Sequence, residues 1–293
     1  MKYIGINDSV IDAKEAVVSV LDHGFLYGVG LFETFRTYGG VPFLLERHLE
    51  RMEEGCRQLG IPFHADTIKL EAWITRLMKK NGLKEAYIRY TVTAGVDILG
   101  LPAGDYVKPN HILYAKALPA LPEKLYTQGK PLQLLSHRRN TPEGHERFKS
   151  LHYMNNILAK RELSGYSSAA NGAEGLMLTA QDQVAEGIVS NLFFVKNGVL
   201  CTPDTATGIL PGITREMVTE LAIDAGLQVE EGFYSWEQLK EADEVFLTNS
   251  IQEIVPVTSL WEMEQLNIVS GGKSGPVTTQ LILLYRERAG MPT

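Results

Sequence analysis

Helical and strand periodicities alternate along this chain, and that alternation confines it to mixed α/β layers rather than a helix bundle or an all-β sandwich. Leu45, Leu49, Met52, Cys56 and Leu59 recur at helical spacing with Gly60 as a stop, which predicts a helix over about 46–59. In AYIRYTVTA the period is two: Tyr87, Arg89, Thr91 and Thr93 share one face, and Ile88, Tyr90 and Val92 the other. This is the pattern of a strand with one polar face. Between the strand-like HILYA and the extended run QLLSHRR, the segment KALPALPEK, residues 116–124, carries two prolines that remove backbone donors and disfavour regular structure. A domain boundary belongs there, with a smaller N-terminal α/β domain over 1–117, a linker over 118–124 and a larger C-terminal domain over 125–293.

At 293 residues and 44% hydrophobic content, each part has enough apolar side chain for a core. A net charge of -7 and a pI near 5.6, without a Lys/Arg-rich block, argue against nucleic acid as a partner and suit a cytoplasmic protein. The opening MKYIGINDSV lacks the charged-then-apolar order of a signal peptide, and no apolar run reaches the ~18 residues of a membrane span, so no membrane partner is expected. Cys56 and Cys201 stand apart, and the histidines fall into no metal-like spacing. Neither a disulfide nor a metal site is expected.

Further along, Lys196-Asn197-Gly198 predicts a type I′ hairpin between LFFV and VLCT. Pro211 and Gly212 precede the helical stripe Ile213, Met217 and Leu221, with Gly226 at its end, and a last helix begins near Pro276. The cluster Ser270-Gly-Gly-Lys-Ser-Gly275 lacks GxxxxGK[ST] spacing and reads as a surface turn.

Two charged residues stand out for chemistry. Lys149 in RFKSLHYMNN precedes the helical run Leu151, Met154 and Leu158, so its amine projects from a strand-to-helix junction, where desolvation can leave it unprotonated and nucleophilic. Glu186 opens a run that enters the apolar strand SNLFFV, which suits a carboxylate set against a buried cation. An amine for an aldehyde and a carboxylate for a protonated pyridine nitrogen are the two poles of a pyridoxal phosphate site. Gly212-Ile213-Thr214, at a helix start, can offer N–H groups to an anionic phosphate. Arg47, Arg51 and Arg57, on one helix, are chemically equivalent candidates for a guanidinium contact to that phosphate.

The ordered series Glu186-Gly-Ile-Val-Ser-Asn191-Leu-Phe193, Leu200-Cys-Thr202 and Leu210-Pro-Gly-Ile-Thr-Arg215 resembles the signature of the class IV aminotransferase family, which includes branched-chain and D-amino acid aminotransferases and aminodeoxychorismate lyases. The resemblance covers nearly the whole chain. Through SVLDHGFLYGVGLFETFRT, RRNTPEGHERFKSLHYMNN, VAEGIVSNLFF, GILPGITR and LTNSIQEIVPVT it is closest to the lyases of that family. It implies a mixed α/β, two-domain fold with pyridoxal 5′-phosphate in the cleft between domains, and a homodimer. It also implies Lys149 as the lysine that carries the cofactor, Glu186 at the pyridine nitrogen with Asn191 in support, and Arg51, Ile213, Thr214 and Ser250 around the phosphate. The lyase substrate, 4-amino-4-deoxychorismate, bears two carboxylates. Arg36, Arg89 and Thr34 are the candidates to meet them, and Tyr27 to line the pocket. An aminotransferase for D-amino acids or branched-chain amino acids is the alternative, because specificity lives in the site and not in the fold.

Overall fold

The computed structural model describes residues 1–291. They form two compact units: Met1–Ala120 together with Phe148–His152, and Leu121–Arg147 together with the chain from Tyr153 onward. Among the described residues no helix is long and apolar enough to cross a membrane, and no group of metal-ligating side chains is assembled.

The first unit is built on a six-stranded sheet. Its strands are β1 (Tyr3–Ile6), β2 (Ser9–Asp12), β3 (Gly30–Tyr38), β4 (Val41–Pro42), β5 (Tyr87–Thr93) and β6 (Asn110–Lys116), in the order β2-β1-β6-β5-β3-β4. Beside the short α1 (His23–Leu26), it contains α2 (Leu45–Gln58) and α3 (Thr67–Asn81). The helical stripe read from sequence is α2, and Gly60 stops it at φ +65°. Asp66 caps α3 by accepting from Lys69 N–H, and Gly82 ends it in the left-handed region. Leu49, Met52 and Cys56 of α2 and Trp73, Ile74 and Leu77 of α3 pack with Leu31 and Phe35 of β3, Ile88 and Val92 of β5, and Leu113 of β6. Each fully buried side chain of this kind contributes roughly 1.5–3 kcal/mol. The strand alternation therefore sends Phe32, Thr34, Arg36, Tyr87 and Arg89 to the opposite face of the sheet.

The five residues Phe148–His152 join this unit although they lie beyond the proline-bearing segment. Phe32 N–H donates to Lys149 O at 2.9 Å, Leu151 N–H donates to Gly30 O at 3.0 Å, and Leu31 bridges Ser150, so the segment lies antiparallel along the start of β3.

The second unit carries a nine-stranded sheet: β7 (Lys130–Leu134), β8 (Glu174–Leu178), β9 (Val184–Gly187), β10 (Asn191–Lys196), β11 (Val199–Pro203), β12 (Gln228–Gly232), β13 (Glu244–Asn249), β14 (Glu253–Glu262) and β15 (Gln265–Ile268). The order is β12-β11-β10-β13-β14-β7-β8-β9, with β15 on β14. The helices are α4 (Lys124–Thr127), α5 (Met154–Leu163), α6 (Ile213–Asp224), α7 (Trp236–Lys240) and α8 (Pro276–Arg288). Asn197 and Gly198 have φ of 51° and 79°, as the type I′ reading requires. One apolar cluster joins Leu176, Leu192, Phe194, Val245 and Leu247 with Trp236 and Leu239 of α7.

Two local expectations are corrected. The extended run QLLSHRR ends at Leu134, because the Glu162 carboxylate accepts from Ser136 N–H and His137 N–H and turns the backbone there. The helical run Leu151, Met154 and Leu158 is met by α5 only from Met154 onward. Leu151 precedes α5, Met154 and Leu158 are exposed, and Asn156, Ala159 and Leu163 form the inward side.

Candidate functional site

Sequence-predicted site residues fall into two groups, each assembled within one unit. In the first unit, Lys149 Nζ lies 4.9 Å from the centre of the Phe32 ring, and the Arg89 guanidinium lies 3.5 Å from the same ring. A cation over an aromatic face is attracted by the ring quadrupole, so Phe32 is a shared platform for both charges. Thr34 is the direct cross-strand partner of Arg89, and Arg36 is the partner of Tyr87, its guanidinium 4.4 Å from the Tyr38 ring. Thr34, Arg36, Arg89 and Lys149 are thus neighbours around one strand face. Tyr27 is half-tied at its edge: its hydroxyl accepts from Gly100 N–H at 2.9 Å, and its carbonyl is 3.0 Å from His152 Nε2.

Arg51, on α2, meets the opposite phase of the same sheet through Glu33 of β3. Its Nε and Nη2 donate to the two oxygens of Glu33 at 2.8 and 2.7 Å, and His48 Nδ1 lies 2.6 Å from the same carboxylate. Burial alone raises the Glu33 carboxyl, but Arg51 and His48 outweigh it and bring the pKa down to about 2. Burial lowers His48, against the pull of Glu33. Of the three arginines on α2 that sequence leaves equivalent, Arg57 pairs with exposed Glu54, while Arg51 is held by a buried acid.

In the second unit Glu186 and Asn191 face each other across the turn between β9 and β10. Glu186 is 5% exposed and accepts from Arg139 Nε at 2.7 Å, Leu210 N–H at 3.0 Å and Asn191 Nδ2 at 3.3 Å. Asn191 Nδ2 also donates to Leu210 O at 2.8 Å, so one amide ties the carboxylate to the Leu210-Pro211-Gly212 turn. Arg139 is itself held by Asn155 Oδ1 at 2.8 Å, and Arg147 Nε stands 4.0 Å from Glu186, giving one buried carboxylate two buried guanidiniums.

The same turn starts α6 at Gly212, where no side chain caps the helix. A Cβ at Gly212 would stand 2.0 Å from Asn191 Oδ1, so this position accepts only glycine without rearrangement. Thr214 and Ser250 present hydroxyls 3.2 Å apart beside that helix start, and Ile213 is its first residue. Asn249 Oδ1 accepts from Ile251 and Gln252 N–H and shapes the Ser250 loop. Arg215, on the first turn, is engaged away from this end with Glu231 and Pro203 O.

Glu33, His48 and Arg139 are the site-adjacent residues that periodicity does not single out. A signal for the first was present: Glu33 shares the strand phase of Leu31 and Phe35, and an acid on a core face needs a cation.

The amino-transferase class IV family pattern matches residues 30–260. This chain belongs to the class IV aminotransferase family. It is 42% identical over 286 residues to the aminodeoxychorismate lyase of Bacillus subtilis, covering 97% of this chain and 94% of that one. The crystal structure of 4-amino-4-deoxychorismate lyase from Pseudomonas aeruginosa superposes with a TM-score of 0.83 at 33% identity, covering 97% of this chain and 98% of that one. The branched-chain amino acid aminotransferase of T.th., solved with pyridoxamine 5′-phosphate, gives a TM-score of 0.83 at 30% identity, covering 98% of this chain and 94% of that one.

Proposed function

We propose that this class IV protein is a pyridoxal phosphate-dependent aminodeoxychorismate lyase, converting 4-amino-4-deoxychorismate to 4-aminobenzoate and pyruvate in folate biosynthesis. The observation that carries the reading is the 42% identity, over 97% of the chain, to a lyase of that name. The strand face bearing Thr34, Arg36 and Arg89 supports it, because two guanidiniums and a hydroxyl suit a substrate with two carboxylates.

The residues fit the cofactor on their own chemistry. An ionised carboxylate offers about four lone-pair sites, and three N–H groups are aimed at Glu186, which leaves capacity for a pyridine N–H. The uncapped start of α6 suits a phosphate through the N–H groups of its first turn, with the hydroxyls of Thr214 and Ser250 alongside; Arg51 is the cation that the family resemblance assigns to the same phosphate. Bound pyridoxal phosphate supplies an electron sink for the pair left behind when the amine-bearing carbon of the substrate loses its proton.

In this reading Lys149 is the lysine that would hold the cofactor, and its Nζ would be the base that accepts that proton. Glu186 keeps the ring nitrogen protonated, and Asn191 and Arg139 keep Glu186 in place. Ile213 contributes its backbone at the phosphate end. Arg36, Arg89 and Thr34 orient the substrate carboxylates, and Tyr27 borders them. Loss of the enolpyruvyl group aromatises the ring, so no keto acid is consumed.

A homodimer in the cytoplasm is part of the proposal. Exposed Val20, Phe25, Ile98, Leu99, Leu101 and Val107 in the first unit are the apolar surface that self-association would cover. The acidic composition suits the cytoplasm. An aminotransferase acting on branched-chain or D-amino acids is the second reading, favoured by the likeness to a branched-chain enzyme at a TM-score of 0.83.

The test is to follow pyruvate and 4-aminobenzoate together, with pyridoxal phosphate bound and no keto acid added. Equal release of both supports the lyase. If neither forms while an amino acid and a keto acid exchange their amino group, the aminotransferase takes its place.

A further inference from the structure

Glu33 is a buried acid of the first unit held by two cationic or N–H-donating side chains. It lies on β3 in phase with Leu31 and Phe35, where an apolar residue would complete the core. Instead its side chain is 2% exposed and receives three N–H groups: Nε and Nη2 of Arg51, and His48 Nδ1. His48 and Arg51 stand three residues apart on α2, so one helix face supplies both partners. Arg51 itself is 18% exposed, so its charge is held at a border and not sealed in the core.

A bidentate pair fixes the plane of the guanidinium, and with it the direction of the charge that Arg51 presents. An arginine side chain otherwise carries about 2 kcal/mol of rotamer entropy that a ligand must overcome. His48 prevents the carboxylate from swinging out of the pair. Arg51 and Lys149 both act electrostatically on His48, which ties this cluster to the Lys149 side of the unit.

We infer that Glu33, steadied by His48, is a positioning residue that pre-orients Arg51 for the cofactor phosphate. This rests on the reading of Arg51 as a phosphate contact. The Glu33–Arg51 pair has no net charge, so what Arg51 offers the phosphate is mainly direction, and direction depends on where the carboxylate stands.

Glu33→Asp isolates that dependence, because it keeps the charge and the acceptors but withdraws the carboxylate by one methylene. The full-length chain, stripped of cofactor, is titrated with pyridoxal phosphate and with pyridoxal, which lacks the phosphate. Glu33→Asp is expected to weaken pyridoxal phosphate about tenfold and to leave pyridoxal within about twofold, with a matching change in the ³¹P signal of the bound phosphate. Arg51→Gln should shift the same ratio at least as far, and the double variant should be no worse than Arg51→Gln alone. If Arg51→Gln shifts the ratio and Glu33→Asp does not, the positioning role is overturned while Arg51 keeps its part. If Arg51→Gln leaves the ratio unchanged, the phosphate reading of Arg51 fails and the inference falls with it. Equal loss of both ligands in Glu33→Asp marks a merely structural role and overturns the inference. Should that variant not fold, His48→Asn is measured instead, with a several-fold shift of the ratio expected and no shift counting against the proposal.

Discussion

Lys149, Glu33, His48 and Arg139 are each ionisable groups placed by partners distant in sequence, and each makes a separate demand on measurement. Lys149→Ala should leave a folded chain whose pyruvate release falls by about 10²–10⁴-fold, the range carried by a positioned acid–base group. Turnover near the wild-type rate would remove Lys149 from proton transfer. Arg139→Met strips Glu186 of its shortest hydrogen bond inside the second unit and should cost about 3 kcal/mol in urea unfolding, because a buried carboxylate loses its main counter-ion.

Acid stability follows from Glu33 and His48, and the signs agree. His48 is lowered from 6.5, so below that pH the unfolded chain takes up a proton that the folded one refuses, and stability falls. Glu33 is lowered from 4.5 to about 2, so its contribution is full above 4.5 and is lost as pH falls toward 2, worth roughly 3 kcal/mol. Denaturant midpoints measured from pH 7 to pH 3 should therefore decline, and Glu33→Gln should flatten the lower part of that decline. A midpoint unchanged by acid would contradict both shifts.

Elements were legible wherever one periodicity ran uninterrupted. α2, β5, the β10–β11 hairpin, α6 and the start of α8 appear where the residue spacing puts them, because each pattern is local and each has its own stop signal in Gly60, Gly198 or Gly226. The run QLLSHRR misled for a tertiary reason. An apolar pattern names a face but not its partner, and the strand stops at Leu134 where a carboxylate 26 residues further on takes the Ser136 N–H. The Ser270–Gly275 cluster precedes α8, whose first N–H groups are taken by Glu244 at 3.0 and 2.8 Å from Val277 and Thr278. The start of α6 has no such side-chain cap, which is the physical difference between the two glycine-led helix starts. Gly212→Ala should weaken pyridoxal phosphate about tenfold, since its Cβ would press on Asn191 Oδ1 at 2.0 Å and shift the turn. Affinity unchanged by the added methyl would mean that the turn has slack the geometry does not suggest.

At the scale of the whole molecule, the apolar loop through Ile98, Leu99 and Leu101 is the feature that a monomer leaves unexplained. Sedimentation of the wild-type chain should give twice the chain mass of 32.5 kDa, and Leu99→Asp combined with Leu101→Asp should return it to that mass. A wild-type chain that sediments as a monomer would remove the homodimer from the proposal.

Sequence by itself determined the mixed α/β class, most of the helices and strands, and the Glu186 and Gly212 motifs, because periodicity, turn chemistry and motif order are properties of neighbouring residues. Tertiary structure alone decided which arginine on α2 meets a buried acid, that Arg139 is the cation beside Glu186, and that Phe148–His152 lies along β3 with the first unit. Those outcomes depend on pairs separated by 18, 47 and more than 100 residues, where burial forces a charge to find a partner but no spacing in the chain names it.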